Sequence, residues 1–217
     1  MLLLAEGAAW WERTRTVIAA DTHFGKAEHF RSLGVPVPCG TSEGSLQLLM
    51  DVVRRFGAQR VIVLGDLLHA DGPGNNQIGD MLSAIFEANP NVEMMVIRGN
   101  HDVTAGDLPV MRNLKYVDEL VDGALEFRHM PSERVKGFEM AGHIHPVVSM
   151  WSETGSRVRA KCFWVGPRQI VLPAFGKFTG GAAIQAREGD RVFAIGDGEI
   201  EEVPSVVKTR RKRVGAE

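Results

Sequence analysis

Most histidines in this sequence stand where apolar stretches end, close to other residue types that bind metals. Five of the seven lie in the segments DTH, GNHD, FRHMP and GHIH: His23, His101, His129, His143 and His145. Two aspartates and an asparagine end similar stretches: Asp21, Asp66 and Asn100. Imidazole nitrogens with carboxylate and amide oxygens, and without thiolates, suit Mn²⁺, Fe²⁺ or Zn²⁺ better than a structural zinc site. One such histidine alone would usually be structural, but a group of this size favours a catalytic metal centre.

The number of candidate ligands favours two metal ions over one. At least seven side chains qualify, whereas one catalytic zinc uses about three or four ligands. In two-metal sites the ions lie ~3.5–4 Å apart. Two divalent cations and two carboxylates keep a net charge of roughly +2, which can hold one hydroxide and one phosphodiester oxygen. The donor set therefore predicts phosphoester hydrolysis.

Strands that alternate with helices would bring these residues together. Val17 to Ala20 is typical of a buried strand that ends at Asp21, and RVIVLGD and VEMMVIRGNHD are typical of two more. Apolar residues at helical spacing predict a helix after Thr41, with Thr41 as its N-cap and Gly57 just past its end, and another over 77–88. In parallel sheets, ligands bind at the carboxyl ends of the strands, where the first three motifs lie.

The second half of the chain predicts a β-rich unit. Beyond about residue 115, segments such as ALEFRHM, RAKCFWV and RVFAIGDGEIEEV are short and apolar, and Gly196-Asp197-Gly198 is typical of a hairpin turn. An α/β half joined to a β-rich half predicts two sheets packed face to face with helices outside.

Composition excludes several classes of protein. Hydrophobic residues make up 44% and charged residues 24% of the 217 residues, as in ordinary globular proteins. We expect one domain over residues 1–207 and a basic, flexible tail over 208–217.

The formal charge of −2 predicts no general attraction to nucleic acid. Cys39 and Cys162 do not form a disulfide framework, and we find no signal peptide or membrane-spanning stretch, so we expect a cytoplasmic protein without membrane contact.

The ordered motifs D-x-H, G-D, G-N-H-D, H and G-H-x-H resemble the signature of the calcineurin-like metallophosphoesterases. They span residues 21–145 as DTH, GD, GNHD, His129 and GHIH. The resemblance implies an α/β fold, a four-layer α/β/β/α sandwich of two mixed sheets flanked by helices. It also implies a hydrolase with two divalent metal ions, for which we expect Mn²⁺, with Fe or Zn as alternatives.

The resemblance implies a role for each motif residue. Six would each bind one ion, in two sets: Asp21, His23 and His145 for one, and Asn100, His129 and His143 for the other. Asp66 would bridge both ions. His101 would be the catalytic acid that protonates the leaving alkoxide, oriented by Asp102, while a metal-bridging hydroxide attacks phosphorus in line.

A closer similarity covers more of the chain. The segments ADTHFGKAEHFRSLGVPVPCGTSEGSL, GDLLHA, RGNHD, GHIHP and LPAFGKFTGG resemble the ligase-associated DNA damage response endonucleases, a bacterial family related to nuclease subunits of double-strand-break repair. Thr22 and Phe24 depart from that family's pattern at positions that supply no ligand. This similarity implies a DNA endonuclease in repair, acting on DNA that could be single-stranded. It also implies a functional association with a DNA ligase, a helicase and a second nuclease-like protein.

Other functions are compatible with the same motifs. A phosphodiesterase or phosphatase of nucleotides, cyclic nucleotides or other small phosphoesters would use the same centre, because a fold does not choose its substrate. A non-catalytic scaffold should have lost at least one ligand, and none is missing. Lys26 and Lys177 are candidate substrate-binding residues for phosphate, although solvated surface cations would have the same pattern. The four tryptophans could stack on bases, but their scatter favours packing roles.

Overall fold

Two mixed β-sheets form the centre of the computed structural model, which describes residues 1–72, 74–151 and 156–204. The first sheet contains β1 (Leu2–Leu3), β2 (Ala9–Trp11), β3 (Thr16–Ala19), β4 (Arg60–Val63), β5 (Glu93–Ile97) and β6 (Leu114–Val117). The second contains β7 (Leu120–Asp122), β8 (Leu125–Phe127), β9 (Phe138–Ala141), β10 (Pro146–Trp151), β11 (Arg157–Val165), β12 (Gln169–Val171), β13 (Ala182–Ala183), β14 (Arg191–Gly196) and β15 (Glu199–Val203). The α-helices are α1 (Lys26–Ser32), α2 (Thr41–Phe56), α3 (Gly74–Ala88) and α4 (Asn100–Ala105). The predicted two mixed sheets flanked by helices are confirmed.

The first sheet places the motif residues side by side. Its strands follow chain order from β1 to β6, antiparallel as far as β3 and parallel from β3 onwards. In the parallel part Ala19 lies opposite Val63, and Val63 lies opposite Val96. The carboxyl ends of β3, β4 and β5 therefore form one edge, from which three of the motifs emerge.

Both faces of the first sheet are buried, which explains its uninterrupted apolar strands. Val17 and Ala19 belong to a core shared with α2 and α3, whereas Ile18 and Ala20 belong to a core shared with the second sheet. A strand that is covered on both faces needs no polar alternation. The described α-helices all precede Gly106, and apolar residues of α2, α3 and α4 pack on the face of the first sheet opposite the second sheet.

The helix boundaries differ slightly from those predicted. Helix α2 has Gly40 rather than Thr41 as its N-cap residue, and the Thr41 hydroxyl donates to the Pro38 carbonyl at 3.0 Å. It ends before Gly57, as predicted. Helix α3 begins at Gly74 rather than near Gln77. Helix α1, with only seven residues, has too short an apolar pattern to be predicted.

The second sheet has the strand order β13-β10-β11-β12-β9-β8-β7, with β14 paired to β11 and β15 paired to β14. The predicted hairpin at Gly196-Asp197-Gly198 joins β14 to β15, with a φ of 50° at Asp197. Positive φ at the turn residues is typical of tight hairpins.

A loop after β12 connects the second sheet back to the first. Ala174 forms a parallel bridge with Ala20, and the Phe175 N–H donates to the Ala20 carbonyl at 2.8 Å. The Lys161 ammonium donates to the carbonyl oxygens of Ala174 and Gly176 at 2.6 and 2.8 Å. This loop is therefore held against the end of β3, directly beside the first motif.

The predicted basic tail, 208–217, lies outside the described residues, and the domain boundary at residue 207 stays a prediction. Within the described ranges, no helix is long and apolar enough to cross a membrane. Both cysteines are free thiols, Cys39 exposed and Cys162 buried.

Candidate metal centre

The loops that follow five strands bring the predicted metal ligands to one place. Asp21 and His23 follow β3, Asp66 follows β4, and Asn100 opens α4 directly after β5. His129 follows β8, and His143 and His145 lie in the loop from β9 to β10. The first sheet thus supplies four of the seven predicted ligands and the second sheet supplies three.

The backbone is left-handed at most of these positions. In the described ranges, seven non-glycine residues have a positive φ, and five of them are predicted ligands: Asp21, His23, Asp66, His143 and His145. Such a conformation is uncommon for residues with a Cβ and costs of order 1–3 kcal/mol each. Strain of this kind clusters at functional sites, where the surrounding structure holds it.

Two motif glycines let the backbone approach the ligands. A Cβ at Gly65 would lie 2.1 Å from Nδ1 of His129, and a Cβ at Gly99 would lie 2.1 Å from Oδ1 of Asp66. Each contact is impossible for a side chain. The G-D and G-N-H-D motifs therefore require glycine because the ligands of other loops occupy that space.

Asp21, His23 and His145 form a first cluster of donors. The Nε2 atom of His145 lies 3.3 Å from Nε2 of His23 and 3.3 Å from Oδ1 of Asp21. The other carboxylate oxygen of Asp21 accepts the His143 N–H at 2.9 Å. Oδ1 of Asp21 is buried and has no hydrogen-bond partner. A buried, unsatisfied carboxylate oxygen is costly unless a cation pairs with it, so this atom fits a metal ligand.

Asn100, His129 and His143 form a second cluster. Nε2 of His129 lies 3.0 Å from Oδ1 of Asn100 and 3.1 Å from Nδ1 of His143. Nδ1 of His129 lies 2.9 Å from the carbonyl oxygen of Leu64, which can only accept, so Nδ1 donates. In a neutral ring this leaves the lone pair on Nε2, which faces the other two donors. A carbonyl that fixes the tautomer in this way is typical of metal-binding histidines.

Asp66 lies between the two clusters. Its Oδ2 atom is 3.7 Å from Nε2 of His23 and 3.6 Å from Nε2 of His129. Its Oδ1 atom accepts the backbone N–H of His101 at 2.9 Å, which fixes the carboxylate. One carboxylate oxygen therefore faces both sets of donors, as a bridging ligand must.

Burial disfavours the charged form of two of the imidazoles. It lowers the pKa of His23 to about 2, assisted by the neighbouring His145 and Lys26. Burial also lowers the pKa of His143, although the carboxylates of Asp21 and Asp66 act in the opposite direction. A neutral imidazole has a lone pair to offer, so the described residues fit a centre for divalent metals.

The chain matches the family of calcineurin-like phosphoesterases over residues 14–174, which include all seven predicted ligands. The chain belongs to this family. It is a metal-dependent phosphoesterase, and groups of its described side chains, such as Asp21, His23 and His145, could hold a metal ion.

Two solved structures match this chain to different degrees. A nuclease from Pseudomonas putida, MPE, is 31% identical, and the match covers 92% of this chain and 93% of that chain with a TM-score of 0.76. YfcE, a phosphoesterase from E. coli, is 14% identical, with 88% of this chain and 98% of that chain covered and a TM-score of 0.39. Curated protein sequences yield no match.

His101 of the phosphoesterase lies beside the first cluster, and Asp102 contacts the backbone. The ring centroid of His101 is 4.9 Å from that of His23. The buried Asp102 carboxylate accepts the N–H groups of Leu68 and Gly99 at 3.1 and 2.9 Å, and burial raises its pKa. Nδ1 of His101 instead lies 2.7 Å from the carbonyl oxygen of His69. Among the described contacts, Asp102 thus stabilises the two motif loops, whereas His69 contacts the imidazole.

His69 lies in the site, although its place in the sequence favoured a supporting or surface role over one in the cleft. Its Nδ1 lies 3.4 Å from Nδ1 of His23, and its ring stacks on His101 with the centroids 4.9 Å apart. His69 comes three residues after Asp66, and this short spacing is the only signal in the sequence that could have indicated it. With His23 and His101 it forms a third group of imidazoles in the same place.

The two predicted phosphate-binding lysines lie on the same side of the centre. Lys26 and Lys177 line one small pocket of about 10 Å³, which His23 also lines. Burial lowers the pKa of Lys26, although the Asp66 carboxylate acts in the opposite direction. Lys177 is exposed. The structure thus brings both cations next to the first cluster, while their role as phosphate contacts stays a prediction.

Proposed function

We propose that this phosphoesterase is a DNA nuclease that hydrolyses phosphodiester bonds with two metal ions, Mn²⁺ in the native enzyme. The main support for a two-metal centre is the arrangement of two donor clusters with one oxygen of Asp66 facing both. The unsatisfied Oδ1 of Asp21 supports it. The preference for DNA is supported by the 31% identity to a nuclease over nearly the whole chain.

The assignment of residues follows the two clusters. Asp21, His23 and His145 would hold one ion, Asn100, His129 and His143 the other, and Asp66 both. When bound, the ions would supply the Lewis acidity that activates water and neutralises phosphate charge. Asn100 contributes a ligand oxygen without adding negative charge, so the centre stays cationic and attracts the phosphodiester.

His101 is the proposed proton donor to the leaving oxygen. Its ring lies next to that of His23, at the border of the first cluster, and Nδ1 contacts the His69 carbonyl. That contact leaves Nε2 to hold a proton that can be transferred. Asp102 acts through the backbone, because its carboxylate joins the loop at Leu68 to the loop at Gly99.

One assay set tests the proposed substrate class. Purified enzyme would be incubated with single-stranded DNA, duplex DNA, bis(p-nitrophenyl) phosphate, p-nitrophenyl phosphate and a 2′,3′-cyclic nucleotide. Each reaction would be run with Mn²⁺, Fe²⁺, Zn²⁺ or Mg²⁺ and after chelation, with Asp66→Ala as the inactive control. We expect metal-dependent DNA cleavage that is fastest with Mn²⁺ and lost on chelation. Rapid hydrolysis of a small ester with all DNA left intact would instead support the alternative, an enzyme of small phosphoesters.

The mode of cleavage and the cellular role are finer parts of the proposal. Cleavage of a circular single strand would support the endonuclease assignment, because an exonuclease needs an end. A repair role, with a ligase, a helicase and a second nuclease-like protein as partners, is supported by the family resemblance alone. Loss of resistance to DNA damage in a deletion strain would test it. The two free thiols agree with the proposed cytoplasmic location.

A further inference from the structure

An open groove adjoins the first donor cluster and combines aromatic and cationic walls. We propose that Phe30 and Phe178, with Lys26 and Lys177, form a subsite that stacks on a base of single-stranded DNA beside the cleaved phosphate. This inference rests on the proposed DNA cleavage. It adds that the substrate is single-stranded and that the enzyme holds it by stacking on a base. We call the region lined by these four residues the base groove.

The walls of the base groove are two phenylalanine rings at the surface. Phe178 is 39% exposed, and its ring is therefore accessible to a ligand. Its ring lies edge-on to that of Phe30, with the centroids 5.9 Å apart. Together with Thr179, Gly180 and the two lysines, the rings line an open groove of about 380 Å³. This space can accept a flat ring against the exposed face of Phe178.

An unbroken series of stacked rings joins the base groove to the catalytic residues. Phe30 stacks on His69 with the centroids 6.0 Å apart, and His69 stacks on His101 with the centroids 4.9 Å apart. His101 is the proposed proton donor, so this series of contacts connects the base groove to the side of the centre where the leaving oxygen would be protonated.

The charge of the base groove fits the backbone of DNA. Lys26 and Lys177 line both the open groove and the smaller cavity that reaches His23. No carboxylate lines either space among the described residues, so both cations are available to an anion. Two cations beside two aromatic rings match the alternation of phosphates and bases along a single strand.

Single-stranded DNA fits these features better than a duplex or a small ester. Bases in a duplex are already stacked on each other, so their faces are hidden from a protein ring. A small phosphoester without a base would be held by the metal centre alone and would leave the groove empty. Stacking on aromatic rings also tolerates any base, which suits a nuclease without sequence preference.

The test asks whether the Phe178 ring speeds cleavage only when the substrate carries bases. The substrates are a single-stranded oligonucleotide and a strand of equal length in which tetrahydrofuran units replace every base, so that the phosphates are unchanged. For wild-type enzyme with Mn²⁺ we expect kcat/KM to be about tenfold or more higher on the strand with bases. In Phe178→Ala the ratio of the two values should fall towards one, and in Phe178→Trp it should be retained.

Two control variants separate stacking from charge and from general damage. Lys177→Ala should lower kcat/KM on both strands by a similar factor and reduce its dependence on salt, because it removes a phosphate contact. Val121→Ala, at an exposed position in β7, should keep the wild-type ratio. Circular dichroism would confirm that all variants are folded, and metal analysis would confirm that they bind their metal ions.

The outcomes distinguish this inference from the proposed function. Equal cleavage of both strands by wild-type enzyme would contradict the stacking subsite, and so would a Phe178→Ala variant that lowers both rates by the same factor. In either case the enzyme would still be a nuclease. If the enzyme hydrolyses bis(p-nitrophenyl) phosphate but cleaves neither strand, the proposed nuclease function fails and the subsite fails with it.

Discussion

Nδ1 of His101 lies 2.7 Å from the carbonyl oxygen of His69. A carbonyl oxygen only accepts hydrogen bonds, so Nδ1 carries a hydrogen in this arrangement, and Nε2 is the atom that can lose or gain a proton. The parallel stacking of the two rings restricts rotation of the imidazole as well. A fixed imidazole with one nitrogen committed to a carbonyl is well suited to deliver a proton from the other.

Replacement of His101 should lower kcat more for a substrate with a poor leaving group than for one with a good leaving group. In His101→Asn we expect a fall in kcat of about 10²-fold or more on DNA, because general acid catalysis typically contributes that much for an alkoxide. The loss should be much smaller on bis(p-nitrophenyl) phosphate, because p-nitrophenolate leaves without protonation. Steady-state rates on both substrates, with metal content measured by mass spectrometry, would check this. Equal losses on the two substrates would contradict the acid role.

Removal of the Asp66 carboxylate should abolish metal binding and activity together. Because one of its oxygens faces both donor clusters, Asp66→Ala takes a ligand from each. We expect the metal content to fall from about two ions per chain to less than one, and turnover to fall to background. Asp80→Asn, at an exposed position of α3, is the matched control and should keep both ions. A variant at Asp66 with two ions and normal rates would exclude the bridging assignment.

A methyl group at Gly99 should disrupt the centre as strongly as loss of a ligand. In Gly99→Ala the new Cβ would lie 2.1 Å from Oδ1 of Asp66, so the loop must shift. Overpacking of this kind costs about 1–3 kcal/mol, and the shift would also misplace the neighbouring Asn100. We expect a lower melting temperature and a weaker stabilisation by added Mn²⁺, measured by thermal unfolding with and without chelator. Gly196→Ala, where a Cβ meets nothing within 4 Å, should behave as wild type.

Lys161 should make the stability of the enzyme depend on pH in the alkaline range. Burial lowers its pKa from 10.5 to about 8 in the folded state. Between these values the unfolded chain binds more protons than the folded chain at this position, so its contribution to stability rises with pH from about 8 to 10.5. Its neutral amine can still donate to the carbonyl oxygens of Ala174 and Gly176.

Urea unfolding from pH 7 to 10 would measure this dependence. The difference in unfolding free energy between wild type and Lys161→Met should grow in favour of wild type as the pH rises. Lys115→Met, at an exposed position of β6, should show no such trend. A constant difference for Lys161→Met across this range would show that the residue does not titrate there.

Much of the metal centre could be predicted because parallel strands all end at the same edge of a sheet. Asp21, Asp66 and Asn100 each follow an apolar strand, and neighbouring strands in register must place the following residues together. Helix α2 was predictable for a similar reason, since its apolar spacing matches one face of a helix. These features depend on local periodicity, which a sequence displays directly.

The sequence named the two lysines of the base groove as candidates, but its aromatic walls were not predictable, because no local pattern marks them. Phe30 lies on α1 and Phe178 lies on the loop after β12, and they meet only because Lys161 and β3 hold that loop beside the centre. Two of the tryptophans considered for base stacking pack elsewhere: Trp10 stacks on Phe56 and Trp11 packs near Phe127.

The sequence by itself predicted the donors of the proposed metal centre, the order of its motifs and the chemistry that they imply. Only the tertiary structure decided which donors face each other and where the base groove lies. It also decided that Asp102 contacts backbone N–H groups while His69 contacts His101. The physical reason is the range of the interactions. Strand ends and helix faces follow from neighbours in the chain, whereas these contacts join side chains and backbone groups of separate segments through packing of the two sheets and the helices.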